Sequence, residues 1–526
     1  MPRQTRAYTH MNGGARVKKP SIIKNSLVLT GFSIAMRVAG IAFSMYVAAG
    51  VGAEGMGLYQ LTYSAFALAV TMATAGISVA VTRVLTEEQG MNRRGSERPV
   101  MRCALTYAAL VSLAAAVCVL LGSGYIGRVL LSDERTVLSL RVLAPALPMM
   151  SLSSCFKGHL LAVRRPIQIA VSDVIEQVVE VGVFVVMIKR YPGLDIETAC
   201  AVIAAGVTLS EIASCAYLYF KYLRFREKPA DYVPGGFLRR LLAVALPVAG
   251  SSCLASALRT MENVMVPSGL RKSGMSEAAA LSDYGMVRGM ALPVMFLPFA
   301  FLSAFTSLLM PEISEAQAAR RDGYIHTLIE RVIKSCLLLS IPAAAIFAIF
   351  SGSLSELVYH NSQVGMIILI LAPLVPLMYF DAVADGVLKG LGQQNWVLYC
   401  NIVDSIIRII LVYKLIPAMG FTGFMIVMYV SNIFNPVLSI WRMMKLSHVR
   451  LRVGEWIAKP LLAAGAASLL VRLLCIRNPA AQLDVGVVVA EILLLGLLYA
   501  AFLWFLSGEK GERRQKTRRV RAQGGR

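Results

Sequence analysis
Charged side chains stand inside stretches that are otherwise apolar enough to cross a bilayer. Arg37 sits in the middle of SLVLTGFSIAMRVAGIAFSMYVAAG, and Thr30, Ser33, Arg37 and Ser44 recur at helical spacing on one face. An ionised guanidinium at the centre of a membrane helix costs at least about 2.5–3.5 kcal/mol. That cost implies a wet interior or a partner. Arg259, Glu262 and Asn263 cluster on a second such stretch and Arg288 stands on a third. Asp173, Glu176 and Glu180 repeat at i, i+3 and i+7, and Asn401, Asp404 and Arg408 have the same spacing further on. Asp381 and Asp385 lie one turn apart, and Glu211, Arg141, Asn432 and Asn435 complete the set. Two kinds of chemistry suit these types. Arginine in a sheltered cavity grips a phosphate by two parallel hydrogen bonds. A carboxylate beside it releases or accepts a proton, or binds a coupling cation. Pairing between helices for packing alone competes with both, most strongly at Glu211, Arg141, Asp381 and Asp385.

The elements that must position these groups are membrane helices. The chain has 526 residues, 57% of them hydrophobic and 16% charged, with a mean hydropathy of +0.65. Such a composition excludes a soluble protein and predicts an all-α polytopic membrane protein. Spans of about 20 residues are expected at 26–48, 58–82, 102–122, 138–162, 167–188, 198–220, 241–266, 284–310, 330–350, 364–390, 394–416, 420–441, 455–475 and 484–507. These are spans 1 to 14 below. Basic residues set the orientation. With the N-terminus in the cytoplasm, and residues near span ends counted with the adjoining loop, 38 of the 52 Lys and Arg fall at inner segments, 9 at outer loops and 5 deeper within spans. Both termini are therefore expected inside. The net charge of +22 flanks membrane spans, so anionic lipid headgroups rather than nucleic acid are the expected partner. The nine cysteines lie in apolar stretches without metal-ligand spacing and read as packing residues. No histidine cluster or metal motif occurs, and no cofactor is expected beyond a possible coupling cation or proton.

The chain repeats itself. Ala144-Pro145-x-x-Pro148 aligns with Ala372-Pro373-x-x-Pro376 at an offset of 228. The same register sets Gly158 on Gly386, Asp173 on Asn401, Glu176 on Asp404 and Glu180 on Arg408. Two pseudo-symmetric six-helix lobes plus two C-terminal helices follow. The expected division is a basic arm over 1–25, an N-lobe over 26–225, a C-lobe over 226–445, spans 13 and 14 over 446–507, and a basic tail over 508–526. Because six is even, both lobes start on the same side, a parallel repeat of the kind that rocks around a midplane site.

TGFSIAMRVAGIAFSMYVAAGVGAEGMGLYQLTY, ATAGISVAVTRVLTEE and SDYGMVRGMALPVMFLPFAFLSAFTSLLMPEISEA resemble the stage V sporulation protein B-type polysaccharide transporters. That family lies within the multidrug/oligosaccharidyl-lipid/polysaccharide flippase superfamily. The resemblance implies a V-shaped pair of lobes around a central cavity. It also implies a polyprenyl-pyrophosphate-linked sugar as substrate class, with wall-synthesis proteins as possible partners. In lipid II flippase relatives, arginines in the first spans of both lobes are tied to the pyrophosphate. By position this maps onto Arg37, and more loosely onto Arg259 and Arg288, with Glu262 and Asn263 beside them. Asp173, Glu176, Glu180, Asn401, Asp404 and Arg408 are expected to line the cavity or couple an ion. Alternatives are a cation-coupled multidrug exporter of the same superfamily, an integral-membrane enzyme, or a scaffold for wall synthesis. The exporter branch typically places a carboxylate in the first span, where this chain has Arg37 and no acid.

The charge bias carries a direct test. Tags at residue 95 and at the C-terminus should be cytoplasmic, while a cysteine at position 54 should react with an impermeant label from outside. Outside access to the tail would refute the even span count.

Overall fold
The computed structural model describes residues 19–91, 93, 95–191, 193–226, 236–447, 449, 452–475 and 484–523; side chains at 19–30, 33–34, 304–305, 307–311, 475 and 507–523 are not described. The described residues are helices joined by short turns. Spans 1 and 2 form one helical run, Lys19–Thr74, kinked where Gly52 adopts φ 73°. Span 2 is broken again at Gly76 (φ 77°) before Ile77–Gly90. Both turns use conformations that a side chain would oppose.

Ten stretches are long and apolar enough to cross a membrane, the first of them running through the Gly52 kink. Spans 5, 8 and 11 are absent from that set although each is helical, over Pro166–Arg190, Glu277–Ala318 with interruptions, and Gln394–Met419. Span 5 carries three acids, Asp173, Glu176 and Glu180; span 8 is broken into short helical pieces around Arg288; and span 11 carries Asp404 and Arg408. The multi-pass architecture is thus established, and fourteen crossings remains the expectation from sequence. Span 8 is irregular around its charge, with a π-turn over Met286–Ala291 that contains Arg288. Such turns concentrate at functional positions.

Backbone geometry carries the repeat. Left-handed residues recur at the same offset in both halves: Ser132 with His360 and Arg164 with Gly392. Spans 4 and 10 are each interrupted at the matching Ala-Pro, giving Thr136–Leu143 then Ala146–Ala162, and Ser362–Leu371 then Val375–Gly390. Proline has no backbone N–H and clashes with the preceding turn, so both spans break at the same place. Spans 13 and 14 stand outside the repeat and pack on span 9, with the Tyr499 hydroxyl donating to the Leu338 carbonyl at 3.2 Å.

The lobes meet at two places along spans 2, 7 and 8. At one end Gly57 and Gly285 cross backbone on backbone. A Cβ on Gly57 would enter the Leu281 carbonyl, and one on Gly285 would strike the Ala53 carbonyl and the Gly57 amide. At the other end Gly76 lies against the Ala245 backbone. There Phe237, Leu241 and Ala245 of span 7 join the N-lobe cluster of Ile77, Val81, Val84 and Leu85. Arg240 bridges Glu87 (2.9 Å) and the buried Glu88.

Gly285→Val should force the Gly57–Gly285 crossing apart. Overpacking of a tight contact costs about 1–3 kcal/mol, so the thermal midpoint in detergent should fall by several degrees. Gly124→Ala, with open space around its Cβ, should leave it unchanged.

Candidate functional site
Spans 2 and 7 run antiparallel between the two crossings and enclose a cavity of about 650 Å³. Its walls are mainly hydroxyl and amide groups: Ser64, Thr71 and Thr74 from span 2, Ser251, Ser252 and Ser256 from span 7, with Gln60, Tyr63, Thr260 and Asn263. In an apolar helix a hydroxyl can satisfy itself on the preceding turn, and Thr71 and Thr74 do so on Ala67 and Val70 at 2.8 Å. Two contacts tie the lobes together. Thr260 donates to the Ser64 carbonyl at 2.8 Å, and the Thr71 and Ser256 hydroxyl oxygens lie 3.2 Å apart. Arg259 is the one cation on this wall, and it is exposed with no ion pair among the described residues. No carboxylate is among the residues described on the wall.

Glu262, one turn from Arg259, is 3% exposed and is held within the C-lobe. Two guanidiniums hold it: Arg288 at 2.7 Å and Arg408 at 3.2 Å. Arg408 also pairs with Asp404, which accepts from the Ser431 hydroxyl at 2.9 Å. Two acids and two arginines thus neutralise one another among spans 7, 8, 11 and 12. A buried carboxylate is tolerated only with such partners. Arg288 is committed to Glu262 and is absent from the cavity wall, so of the C-lobe arginines expected to meet substrate the structure leaves Arg259.

The N-lobe handles its acids differently. Asp173 pairs with Lys157 at 2.9 Å. Glu176 meets Glu211 of span 6 carboxyl to carboxyl. Glu180 lines a separate cavity of about 290 Å³ together with Ser44, Tyr59 and Gln177. Gln60 and Tyr63 belong to both cavities, so the smaller opens beside the larger. The expected acidic stripe therefore divides: Asp173 is exposed beside Lys157, Glu176 sits against Glu211, and Glu180 lines a cavity. Arg37 is exposed, unpaired among the described residues, and on the stripe of span 1 that continues through Gly40 and Ser44 into this small cavity. Thr30 and Ser33, also expected on that stripe, have side chains outside the described residues.

Sequence reasoning missed the hydroxyl wall. Its signal was present as Ser64 and Thr71 at i and i+7, facing Ser252 and Ser256 at i and i+4, within apolar windows. It also missed Arg240 with Glu87 and Glu88, whose partners are far apart in sequence.

Two pseudo-symmetric helical lobes around a polar inter-lobe cavity define a multi-pass membrane protein of the transporter class. Residues 22–317 match the family described as polysaccharide biosynthesis protein, and residues 247–414 match MatE. The chain belongs to the polysaccharide biosynthesis protein family. It is 24% identical over 447 residues to the stage V sporulation protein B of Bacillus subtilis, covering 83% of this chain and 86% of that one. It is 20% identical to the lipid II flippase MurJ of the same organism, over 76% of this chain and 78% of the relative. In fold it is similar to a lipid II flippase MurJ in an inward closed conformation, with TM-score 0.72 and 12% identity over 92% and 99% of the two chains. It is also similar to an inward-facing multidrug resistance MATE family transporter, with TM-score 0.62 and 14% identity over 79% and 96%.

The C-lobe network predicts strong non-additivity. Glu262→Ala leaves two guanidiniums facing one another and should cost about 3–5 kcal/mol, lowering membrane abundance and the thermal midpoint. The double change Glu262→Gln with Arg288→Met should recover much of the loss; equal destabilisation by the single and double variants would refute the pairing.

Proposed function
We propose that this chain is a flippase that moves a polyprenyl-diphosphate-linked sugar, a precursor of wall or spore-wall polysaccharide, across the plasma membrane by alternating access. The observation that carries the reading is Arg259, an unpaired guanidinium on a cavity wall of hydroxyls and amides. A volume of about 650 Å³ lies in the range of small-molecule sites, about 300–1,000 Å³. It takes a diphosphate and sugar while the lipid tail stays in the bilayer. Hydroxyls match sugar hydroxyls, and arginine matches the diphosphate in charge and geometry. An exporter of cationic drugs would need acids on that wall, which argues for the anionic substrate.

Arg37 on the N-lobe side is the second contact in this reading, with Asn263 beside Arg259. Glu262 and Arg288 hold the wall in place rather than grip the substrate. Glu180 with Glu176 and Asp173, and Asn401, Asp404 and Arg408 in the other lobe, serve the coupling ion or the packing around it. The lobe boundaries are those expected from sequence, with both termini cytoplasmic. The basic segments at 1–25 and 508–526 meet anionic lipids, no nucleic acid is a partner, and wall-synthesis proteins receive the flipped product. The protein carries no catalytic residues and no cofactor other than a coupling cation or proton.

The test is translocation of a labelled polyprenyl-diphosphate sugar in proteoliposomes, with membrane abundance measured alongside. Charge-assisted hydrogen bonds contribute about 1.5–3 kcal/mol, so Arg259→Ala should slow flipping by roughly 10- to 100-fold at near-normal abundance. Arg37→Lys should retain part of the activity, and Arg37→Ala and Arg37→Glu should lose it. Normal flipping by both Arg37→Met and Arg259→Met would end the diphosphate-grip reading, and extrusion of cationic dyes instead would favour the exporter.

A further inference from the structure
Spans 3 and 9 occupy matching places in the two lobes, and the left-handed Ser132 and His360 follow their ends at the common offset. In that register Leu110 of span 3 matches Leu338 of span 9, Leu113 matches Ile341 and Arg102 matches Glu330. In the C-lobe the chain itself covers this face. Spans 13 and 14 pack on it, and Tyr499 bonds to the Leu338 carbonyl. Ile341 is 4% exposed, and Glu330 pairs with Arg452, just ahead of span 13, at 3.1 Å. In the N-lobe the same face is bare among the described residues, with Leu110 65% and Leu113 57% exposed.

The bare face carries a groove of about 670 Å³ between spans 3, 4 and 6. Leu110, Met149, Leu152, Phe156, Ile212 and Tyr219 line it, and it shares no lining residue with the inter-lobe cavity. Phe156 packs on Tyr219 and Tyr222, with ring centroids 5.8 and 5.5 Å away. One end of the groove is cationic. Arg102 precedes Leu110 by two turns, about 12 Å along the helix. Arg98, Arg102 and Arg226 all lie within electrostatic reach of the Tyr222 hydroxyl. None of the three has an ion-pair partner among the described residues, and Arg98 Nε is buried without a hydrogen-bond partner. A buried donor left unmade calls for a physical reason. Glu97, the acid beside them, is 3% exposed and bonded to His159 at 2.9 Å.

We propose that this groove binds an anionic phospholipid of the leaflet at that end, with one acyl chain between spans 3, 4 and 6 and the phosphate at Arg98, Arg102 and Arg226. A slot that is apolar along its length and cationic at its mouth fits an amphiphile with a negative head, and arginine meets a phosphate by two parallel hydrogen bonds. The lipid covers in the N-lobe the face that spans 13 and 14 cover in the C-lobe. Its phosphate answers Arg102 as Arg452 answers Glu330, with the signs reversed. A second copy of the chain is a poorer occupant, because a two-fold dimer sets the same patch on itself, arginines against arginines. The site lies apart from the basic segments at 1–25 and 508–526 and does not depend on what the inter-lobe cavity carries.

Native mass spectrometry of the full chain, delipidated in detergent and given dioleoyl-phosphatidylglycerol or dioleoyl-phosphatidylcholine, reads the bound lipid directly. Wild type should retain phosphatidylglycerol in preference to phosphatidylcholine, and phosphatidylglycerol should raise its thermal midpoint. One arginine beside an anionic headgroup contributes about fivefold, so Arg102→Gln with Arg226→Gln should weaken phosphatidylglycerol binding about 25-fold. Arg102→Lys with Arg226→Lys keeps the charge and should keep most of the preference. Ala109→Phe with Ala216→Phe fills the groove and should displace the lipid with every arginine in place. Equal retention of the two lipids by wild type would overturn the proposal, as would undiminished phosphatidylglycerol binding by the groove-filled variant. Equal stabilisation by inorganic phosphate would reduce the site to an anion site without a tail. An arginine-dependent dimer in place of bound lipid would make the face a contact between copies, and either result also overturns the proposal.

Discussion
The bilayer cannot hydrate an ion, and that constraint shapes the molecule. Every charged group inside these helices must find a partner or a wet surface. The C-lobe meets the demand by closure: Glu262 is clasped by Arg288 and Arg408, and Asp404 by Arg408 and Ser431. Removing any one member would leave the others uncompensated, so spans 7, 8, 11 and 12 behave as one unit. With those charges absorbed, Arg259 on the next turn of span 7 is left facing the cavity. The closed network and the open cation stand one turn apart on the same helix.

The same span joins the lobes. Its second half packs on span 11 in the C-lobe, with Gly269 against Ile416, while Phe237, Leu241 and Ala245 at its first end pack with the N-lobe. Arg240 adds bonds to Glu87 and Glu88, and the Gly57–Gly285 crossing seals the opposite side. The cavity is thus bounded at both ends by contacts of different chemistry. One is ionic and hydrophobic, the other a fit of bare backbones that no side chain can replace. Alternating access requires that the two not be released together, and contacts of unlike strength and character make that separation physically reasonable.

Much of the site was readable from residue types. Arg37, Arg259 and Asn263 were picked out because apolar surroundings make a polar group conspicuous, and all three lie where a cavity or an open face receives them. The acidic stripe of span 5 was picked out on the same ground, yet its members divide: Asp173 goes to Lys157, Glu176 to Glu211, and only Glu180 to a cavity. Helical spacing fixes which residues share a face; it does not say which neighbour that face meets. The hydroxyl wall escaped notice because serine and threonine are common in apolar helices, where they bond to their own backbone.

By itself the sequence determined the class of the molecule. Long apolar windows can only be membrane helices, and a repeat at offset 228 dictates two like lobes, because these depend on composition and order along the chain. Its repeated Ala-Pro and left-handed positions are local backbone preferences written residue by residue. Tertiary structure alone decided how the charges were shared. Glu262 chose Arg288 and Arg408 over Arg259, and Asn435 came to rest on Asp381, because ion pairs and buried hydrogen bonds depend on separations of about 3 Å between groups far apart in sequence. Those separations exist only once helices from both halves of the chain have packed.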